Sequence, residues 1–272
     1  MRSRLSISTT VPVTFDTAVT ASNFTLSDSI LCAAFISNSS STVDIETLIA
    51  WAKEYEIPVY IDAAQAVRHR TFDLAGLQCD FLGFSAHKMM GPTGVGCLFV
   101  REKWLNEMQP YRYGGGMIDI VTEEKTTFAE LPARLEAGTP NYSGIITWGA
   151  ALDYLMDIGI ERMASYEEEL IKKAEEVLEA IPQVNILGHP KQRAGCISIQ
   201  IDGVHPYDFA SMIDKYGVAV RTGSMCAQPI VNKMGLDTVI RISPAFYNTM
   251  EEMEKLGEYT EKVIAFFERI KR

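Results

Sequence analysis

Residues 58–62 read PVYID and residues 81–88 read FLGFSAHK, and both runs join a short apolar stretch to polar side chains. A short apolar run bounded by polar residues is typical of a buried strand. The stretch SILCAAFI at residues 29–36 has the same character, and residues 43–55 carry apolar side chains at helical spacing. Strand, helix and strand in this order predict a βαβ unit, so we expect an α/β fold with a mainly parallel sheet.

The pattern changes in the second half of the chain. A glycine-rich turn at residues 91–96 precedes a returning strand at 97–100, and long helices are expected at 145–157 and 160–180. We therefore expect a large α/β domain at residues 1–155 and a smaller C-terminal α+β domain at residues 156–272. The predicted elements of the smaller domain are strands at 184–187, 196–201, 218–220 and 239–242 and helices at 207–215 and 249–270.

Composition narrows the functional classes. The 272-residue chain has a net charge of -10 and a pI near 5.0, so nucleic acid is not an expected partner. No apolar stretch approaches the roughly 20 residues of a membrane helix, and the N-terminus lacks the apolar segment of a signal peptide. We expect a cytoplasmic protein without a membrane partner. Its five cysteines are widely spaced without a CxxC pair, which predicts neither a disulfide framework nor a metal site.

Polar side chains follow the predicted parallel strands. Asn38 follows the first strand, Asp62 the second, and Ser85, His87 and Lys88 the third. Ligands gather at these carboxyl ends. A partly desolvated lysine there can form a Schiff base, a hydroxyl and an imidazole can bind phosphate, and a carboxylate can pair with a protonated pyridine nitrogen. Each residue alone has an ordinary explanation, since a strand-end Asp often caps a turn and a His-Lys pair is often surface.

Longer motifs carry a resemblance to a known family. Residues 60–66 read YIDAAQA, residues 84–88 read FSAHK and residues 91–96 read GPTGVG. Together they resemble the class V aminotransferases of the PLP-dependent fold-type I group, and more narrowly the SUF-type cysteine desulfurases and selenocysteine lyases. The resemblance runs from about residue 26 to the C-terminus, with later matches in RLEAGTPN at 134–141, VRTGSMCAQP at 220–229, and Arg241 with FYNT at 246–249.

The resemblance implies pyridoxal 5'-phosphate as the cofactor. Lys88 would form the Schiff base with it and move the α-proton of the substrate. Thr139 would reach the phosphate bound by a neighbouring subunit, which implies a homodimer. The remaining cofactor contacts would be Asp62 at the pyridine nitrogen, Gln65 at the phenolic oxygen, and Ser85 and His87 at the phosphate.

The resemblance also assigns the substrate side. Asn38 and Arg241 would hold the substrate carboxylate. Arg221 would stand at the beginning of the active-site loop, and Cys226 would be the nucleophile. The implied reaction removes sulfur from L-cysteine, or selenium from L-selenocysteine. It leaves L-alanine and a persulfide on Cys226 for a sulfur-acceptor protein, in iron-sulfur cluster assembly or another sulfur-transfer pathway. Cys226 lies in a polar loop, which favours a reactive thiol over an inert one.

Some features depart from the family. Its members carry a further N-terminal segment of the large domain, so the resemblance implies that this chain is N-terminally truncated. Ser224 and Met225 stand where SUF-type members commonly have two histidines, and residues 39–42 read SSST where a glycine-containing turn is usual. Two alternatives therefore stay open: a non-catalytic or partner-dependent remnant of the family, and an enzyme of the same fold with another reaction.

Overall fold

The computed structural model describes residues 19–21, 31–34, 44–188 and 195–270, which form one mixed sheet, two antiparallel sheets and flanking helices. The strands are β1 Val19–Ala21, β2 Leu31–Ala34, β3 Val59–Asp62, β4 Phe81–Ser85, β5 Gly96–Val100, β6 Ile118–Val121, β7 Thr126–Phe128, β8 Val184–Ile186, β9 Ile197–Ile201, β10 Arg221–Gly223 and β11 Val239–Ile242. The α-helices are α1 Ile45–Glu54, α2 Leu74–Leu77, α3 Glu102–Leu105, α4 Tyr142–Ile158, α5 Ile160–Glu179, α6 Pro206–Ile213, α7 Gln228–Lys233 and α8 Met250–Ile270, and 3-10 helices span Ala66–Arg68, Ala86–Met89, Ala133–Leu135 and Asp214–Tyr216.

The first sheet has the strand order β1-β2-β3-β4-β5. The inner pairs β2-β3 and β3-β4 are parallel, which confirms the predicted βαβ unit around α1. The outer pairs β1-β2 and β4-β5 are antiparallel, so the sheet is mixed. Strand β5 runs back along β4 because residues 86–95 are too short a connection for a parallel crossover.

Helix α1 forms where the sequence supplies both a cap and an apolar face. The Asp44 side chain accepts a hydrogen bond from the Thr47 amide at 2.9 Å, which satisfies one of the amides that a helix start leaves open. Ile45 and Ile49 are buried in the same core as strand β3. The helix therefore covers one face of the sheet and fixes the direction in which β3 enters it.

A second core lies around the antiparallel sheet of order β10-β11-β9-β8. Helices α5, α6 and α8 bury apolar side chains against it, with Phe209 and Ile240 fully enclosed. Helix α5 takes part in both cores, because Met163 packs in the first and Leu170 in the second. The predicted domain division at residue 156 lies just before this shared helix and stays a prediction.

One predicted strand is wrong and one hairpin was not anticipated. The strand expected at residues 218–220 begins later, at Arg221, because Arg221–Gly223 and not the preceding valines pair with β11. Val218 and Val220 instead pack their side chains against the second core. The β6-β7 hairpin has mostly exposed side chains and no strong apolar alternation. Among the described helices, none has the length and hydropathy needed to span a membrane.

Candidate active site

Asp62 and Ser85 end two neighbouring strands at the same edge of the first sheet. The parallel register of β3 and β4 pairs Asp62 with Gly83, and the Ala63 amide donates to the Gly83 carbonyl at 2.9 Å beyond the strand. The 3-10 helices that follow the two strands, Ala66–Arg68 and Ala86–Met89, contact each other. The structure therefore brings together the predicted residues that follow the strands: Asp62, Gln65, Ser85, His87 and Lys88.

The Asp62 carboxylate is half-buried and divided between two uses. Its Oδ1 accepts a hydrogen bond from the Ala64 amide at 2.9 Å, which stabilises the turn after β3. The ordinary explanation of a strand-end Asp is thus correct for one oxygen. Within the described residues the other oxygen has no hydrogen bond, which leaves it available to a ligand at the sheet edge.

Lys88 lies on a short 3-10 helix whose neighbours fix it in place. Ala86 and Met89 of this helix are buried, whereas His87 is exposed and Lys88 is half-buried. Within the described residues, the Lys88 amine forms no ion pair with a carboxylate. An amine held at a sheet edge without a neutralising partner is suited to bind an anion or to react with a carbonyl carbon.

The turn after Lys88 is locked against α4. The Gly91 amide donates to the Ala86 carbonyl at 2.9 Å, and a Cβ on Gly91 would lie 2.6 Å from Trp148 Cδ1. Trp148 is buried and also packs edge-on against Phe84, with ring centroids 5.8 Å apart. Sequence reasoning did not single out Trp148. Its helical spacing from Gly144 and Leu155 on the buried face of α4 was the available signal.

Two arginines face each other on the second sheet. Arg221 of β10 pairs directly with Arg241 of β11, and Arg241 pairs in turn with Ser198 of β9. Directly opposed side chains share one face of an antiparallel sheet, and like charges there repel. The Nε of Arg241 is buried and, within the described residues, without a hydrogen-bond partner. An anion such as a carboxylate would satisfy both guanidinium groups.

Cys226 lies on a tight turn that follows β10 directly. Met225 and Cys226 both have left-handed backbones, with φ of 53° and 66°. The Ala227 amide donates to the Ser224 carbonyl at 2.9 Å across this turn. Met225 is buried against Val231, whereas Cys226 is exposed and in no disulfide. The buried Met225 side chain thus anchors a strained turn that presents the Cys226 thiol to solvent.

Glu167 of α5 is a buried carboxylate that connects the two sheets, and sequence reasoning missed it. Its Oε1 accepts a hydrogen bond from the Phe246 amide at 3.0 Å and lies 3.4 Å from Arg68 Nη2, while its Oε2 lies 2.8 Å from His69 Nδ1. The charged run of α5 suggested a solvated face. The available signal was its position four residues after Met163 and three before Leu170, on the apolar face.

The profile of the family described as Aminotransferase class-V matches residues 13–256. The chain belongs to this family. Pyridoxal phosphate is the cofactor of class-V aminotransferases, in agreement with the cofactor expected from the motifs. The α/β fold expected from the strand and helix pattern is confirmed with it.

The chain is similar to cysteine desulfurases in both sequence and structure. A cysteine desulfurase of Salmonella agona (strain SL483) is 43% identical over 229 residues, which cover 84% of this chain and 56% of the relative. The crystal structure of the cysteine desulfurase CsdA from Escherichia coli has a TM-score of 0.83 at 32% identity, covering 87% of this chain and 59% of CsdA. A cysteine desulfurase from Thermococcus onnurineus NA1 has a TM-score of 0.82 at 34% identity, covering 87% and 60%.

The chain spans just over half the length of the curated relatives that it matches. Besides the residues at the edge of the first sheet and the group formed by Arg221, Arg241 and Cys226 on the second sheet and its following turn, two predicted site residues remain. Asn38 lies outside the described residues. Thr139 is exposed directly after Gly138, whose amide donates to the Gly115 carbonyl at 2.8 Å. Its contact with a neighbouring subunit stays a prediction.

Proposed function

We propose that the protein is a pyridoxal-phosphate-dependent cysteine desulfurase with Cys226 as the sulfur acceptor. The observation that carries the proposal is the sequence of features along β10, where Arg221 faces Arg241 and the strained turn that exposes Cys226 follows. The accessible thiol follows the arginine pair closely along the chain, which supports a role for both in one site. The similarity to the cysteine desulfurases of Salmonella agona and Escherichia coli supports the same activity.

The cofactor fits the side chains at the edge of the first sheet. Lys88 has an amine without an ion pair in the described residues, Asp62 has an open oxygen, and Ser85 and His87 are hydrogen-bond donors. These groups match an aldehyde, a protonated ring nitrogen and a phosphate, with Gln65 beside the phenolic oxygen. Pyridoxal phosphate, when bound, withdraws electrons from the α-carbon of the substrate. Lys88 then moves the proton of that carbon through its Nζ.

The substrate is L-cysteine held by its carboxylate. Arg221 and Arg241 bind this group, and Asn38, which lies outside the described residues, is the further residue that the family resemblance assigns to it. The two guanidinium groups hold the carboxylate, and its negative charge reduces the repulsion between them. The same pocket accepts L-selenocysteine, because selenium changes neither the carboxylate nor the amine.

Sulfur transfer is a displacement at the substrate sulfur. A bond forms between Cys226 Sγ and the substrate sulfur while the substrate's Cβ–S bond breaks. The electron pair of that bond stays with the three-carbon skeleton, which takes up a proton and leaves as L-alanine. Cys226 remains as a persulfide. The nucleophile is the thiolate, and the exposed position of Cys226 lets the persulfide later meet an acceptor.

We also propose a compartment, an oligomeric state and a sulfur acceptor for the enzyme. It works in the cytoplasm as a homodimer in which Thr139 reaches the phosphate bound by the partner subunit. The large domain spans residues 1–155 and the small domain residues 156–272. A sulfur-acceptor protein takes the persulfide sulfur for iron-sulfur cluster assembly or another sulfur-transfer pathway.

Cofactor absorbance and alanine formation test the proposal. The purified chain mixed with pyridoxal phosphate is expected to show the visible absorbance band of a Schiff base and to form alanine from L-cysteine. Lys88→Ala should abolish both, whereas Lys53→Ala, at an exposed position of α1, should change neither. Cys226→Ser should keep the band and lose alanine formation, with Cys97→Ser as the matched exposed control. Full turnover by Cys226→Ser would instead favour another reaction of the same fold.

A second candidate is a partner-dependent, non-catalytic protein. The observation that favours it is the row of exposed apolar side chains on α4, formed by Tyr142, Ile145 and Ile146. Size-exclusion chromatography with and without the cofactor separates the two candidates. A cofactor-bound dimer supports the enzyme, whereas a species that neither binds cofactor nor forms a defined dimer supports the partner-dependent protein.

A further inference from the structure

Glu167 is enclosed on the apolar face of α5. Its side chain is 3% exposed, and Met163, Leu170 and Ile171 on the same face are buried. A carboxylate removed from water is tolerated only where hydrogen bonds or charges compensate for its lost hydration. The partners of Glu167 therefore determine where this part of α5 can lie, and they come from two different parts of the chain.

The first partners of Glu167 lie in the segment that follows strand β3, which ends at Asp62. Arg68 ends the 3-10 helix that begins directly after Gln65, and His69 follows it. Their nitrogens lie 3.4 Å and 2.8 Å from the Glu167 oxygens. Gly195, two residues before β9, lies against the other side of the imidazole, since a Cβ on Gly195 would lie 2.9 Å from His69 Nε2. Glu167 thus holds the segment that leads out of Asp62 and Gln65.

The second partner lies in the loop that follows the strand of Arg241. The Phe246 amide donates to Glu167 Oε1 at 3.0 Å. The neighbouring residue on α5 contacts the same loop, because the Tyr166 hydroxyl donates to the Asn248 carbonyl at 3.0 Å. Asn248 closes the loop on itself by accepting from the Ala245 amide at 2.9 Å. The loop between β11 and α8 is therefore fixed to α5 at two adjacent positions.

We propose that Glu167 is a positioning residue that sets Arg241 relative to Asp62 and Gln65. One carboxylate holds the segment after the cofactor-side residues and the loop after the carboxylate-binding arginine, so it fixes the spacing between the cofactor ring and the substrate carboxylate. This inference rests on the proposed function for the roles of Arg241, Asp62 and Gln65. Glu167 itself touches neither substrate nor cofactor and acts through the two backbone segments.

Hydrogen exchange and substrate kinetics test this role together. Glu167→Ala removes both links, whereas Glu167→Gln keeps an oxygen for the Phe246 amide and loses the charge facing Arg68 and His69. Glu168→Gln is the matched control, because Glu168 is the next residue on α5, is 58% exposed and pairs with Lys172. Each variant is compared with the wild type by amide exchange at residues 65–70 and 244–248, by KM and kcat for L-cysteine, and by the dissociation constant of L-alanine.

The positioning role has a specific pattern of results. Glu167→Ala should raise exchange at both segments by about tenfold or more, as expected for losing the charge-assisted hydrogen bond from the Phe246 amide and the ion pair with Arg68. It should raise KM for L-cysteine and the dissociation constant of L-alanine by about tenfold while kcat and the cofactor band change little. Glu167→Gln should restore protection at residues 244–248 more than at 65–70. The Glu168→Gln control should match the wild type.

Two results would overturn the inference. Local exchange that rises at both segments while KM and L-alanine affinity stay at wild-type values would show a structural tie without a positioning role. Exchange that rises evenly over the whole chain in Glu167→Gln as well as in Glu167→Ala would show general destabilisation. A wild-type protein that neither forms alanine nor binds it contradicts the proposed function instead. In that case amide exchange at residues 65–70 and 244–248 alone tests whether Glu167 holds the two segments together.

Discussion

Arg221 lies directly opposite Arg241 in the antiparallel pairing of β10 with β11. Two positive side chains at opposed positions repel each other, and such pairs destabilise a sheet by roughly 0.2–1 kcal/mol. The folded chain therefore carries an unfavourable contact at the position where the proposed substrate carboxylate binds. Bound anions relieve it, which couples stability to substrate.

Replacing Arg241 should separate stability from binding. We expect Arg241→Gln to keep or slightly increase the free energy of unfolding, because the repulsion with Arg221 disappears. Millimolar L-alanine should raise the melting temperature of the wild type and not that of the variant. Thermal unfolding with and without L-alanine measures both effects. Lys255→Gln, which removes an exposed charge from α8, should keep the wild-type response, and an equal response in Arg241→Gln would contradict a carboxylate site.

The substitutions Gly91→Ala and Gly149→Ala should change the free energy of unfolding in opposite directions. A Cβ at Gly91 would meet Trp148 Cδ1 at 2.6 Å and the Ala86 carbonyl at 2.9 Å, whereas a Cβ at Gly149 meets nothing within 4 Å. Gly91→Ala should destabilise by about 1–3 kcal/mol through overpacking. Gly149→Ala should stabilise by about 0.5–1 kcal/mol, since alanine is the better helix former. Chemical denaturation measures both values, and equal effects would disprove the contact with Trp148.

The turn at Cys226 should be at least as stable when glycine replaces Cys226, because glycine has no Cβ. A left-handed non-glycine residue costs about 1–3 kcal/mol, while the added backbone freedom of a glycine costs about 0.5–1 kcal/mol. Cys226→Gly should therefore unfold no more easily than the wild type, although it forms no persulfide. Cys97→Gly is the control, because Cys97 is also exposed but lies in strand β5, and glycine should destabilise it. Denaturation midpoints of both variants test the strain, and a lower midpoint for Cys226→Gly than for Cys97→Gly would refute it.

Asp80 should make stability depend on pH in the acid range. Burial raises the pKa of Asp80, but hydrogen bonds from Lys103, Trp104 and the Val59 amide outweigh this effect and leave the pKa below its usual 3.8. A folded-state pKa below the unfolded value means that the contribution is complete above about pH 4 and is lost as pH falls through the folded pKa.

The corresponding variant measures this contribution. Asp80→Asn should be less stable than the wild type at pH 7, and the difference should shrink as pH falls below 4. Denaturant unfolding across this range gives the difference directly, with Asp153→Asn on the exposed face of α4 as the control. A difference that stays constant with pH would mean that the charge of Asp80 contributes nothing.

Most of the residues at the edge of the first sheet could be predicted, because the end of a strand is visible in the few residues around it. Apolar runs that stop at Asp62 and Ser85 indicate both a strand and its end, and parallel pairing then brings the ends together. The glycine-rich turn and β5 followed from the same reasoning. The residues of this edge were identified without any knowledge of contacts between distant segments.

The features that could not be predicted depend on such contacts. Val218 and Val220 have the composition of a strand, yet ladder pairing with β11 begins at Arg221, and only the partner strand determines that register. Glu167 is one of many acidic residues on α5, and its partners lie about eighty to a hundred residues away along the chain. Sequence spacing alone does not distinguish a buried carboxylate from its solvated neighbours when the partners are so distant.

Helix α5 runs without interruption from one apolar core into the other, with Met163 in the first and Leu170 in the second. Neither core can melt while keeping this helix intact for its neighbour. The two halves should therefore lose structure in one cooperative transition instead of two separate steps. In the proposed sulfur transfer, an acceptor would therefore reach Cys226 at the turn that already exposes it, without local unfolding of the second core.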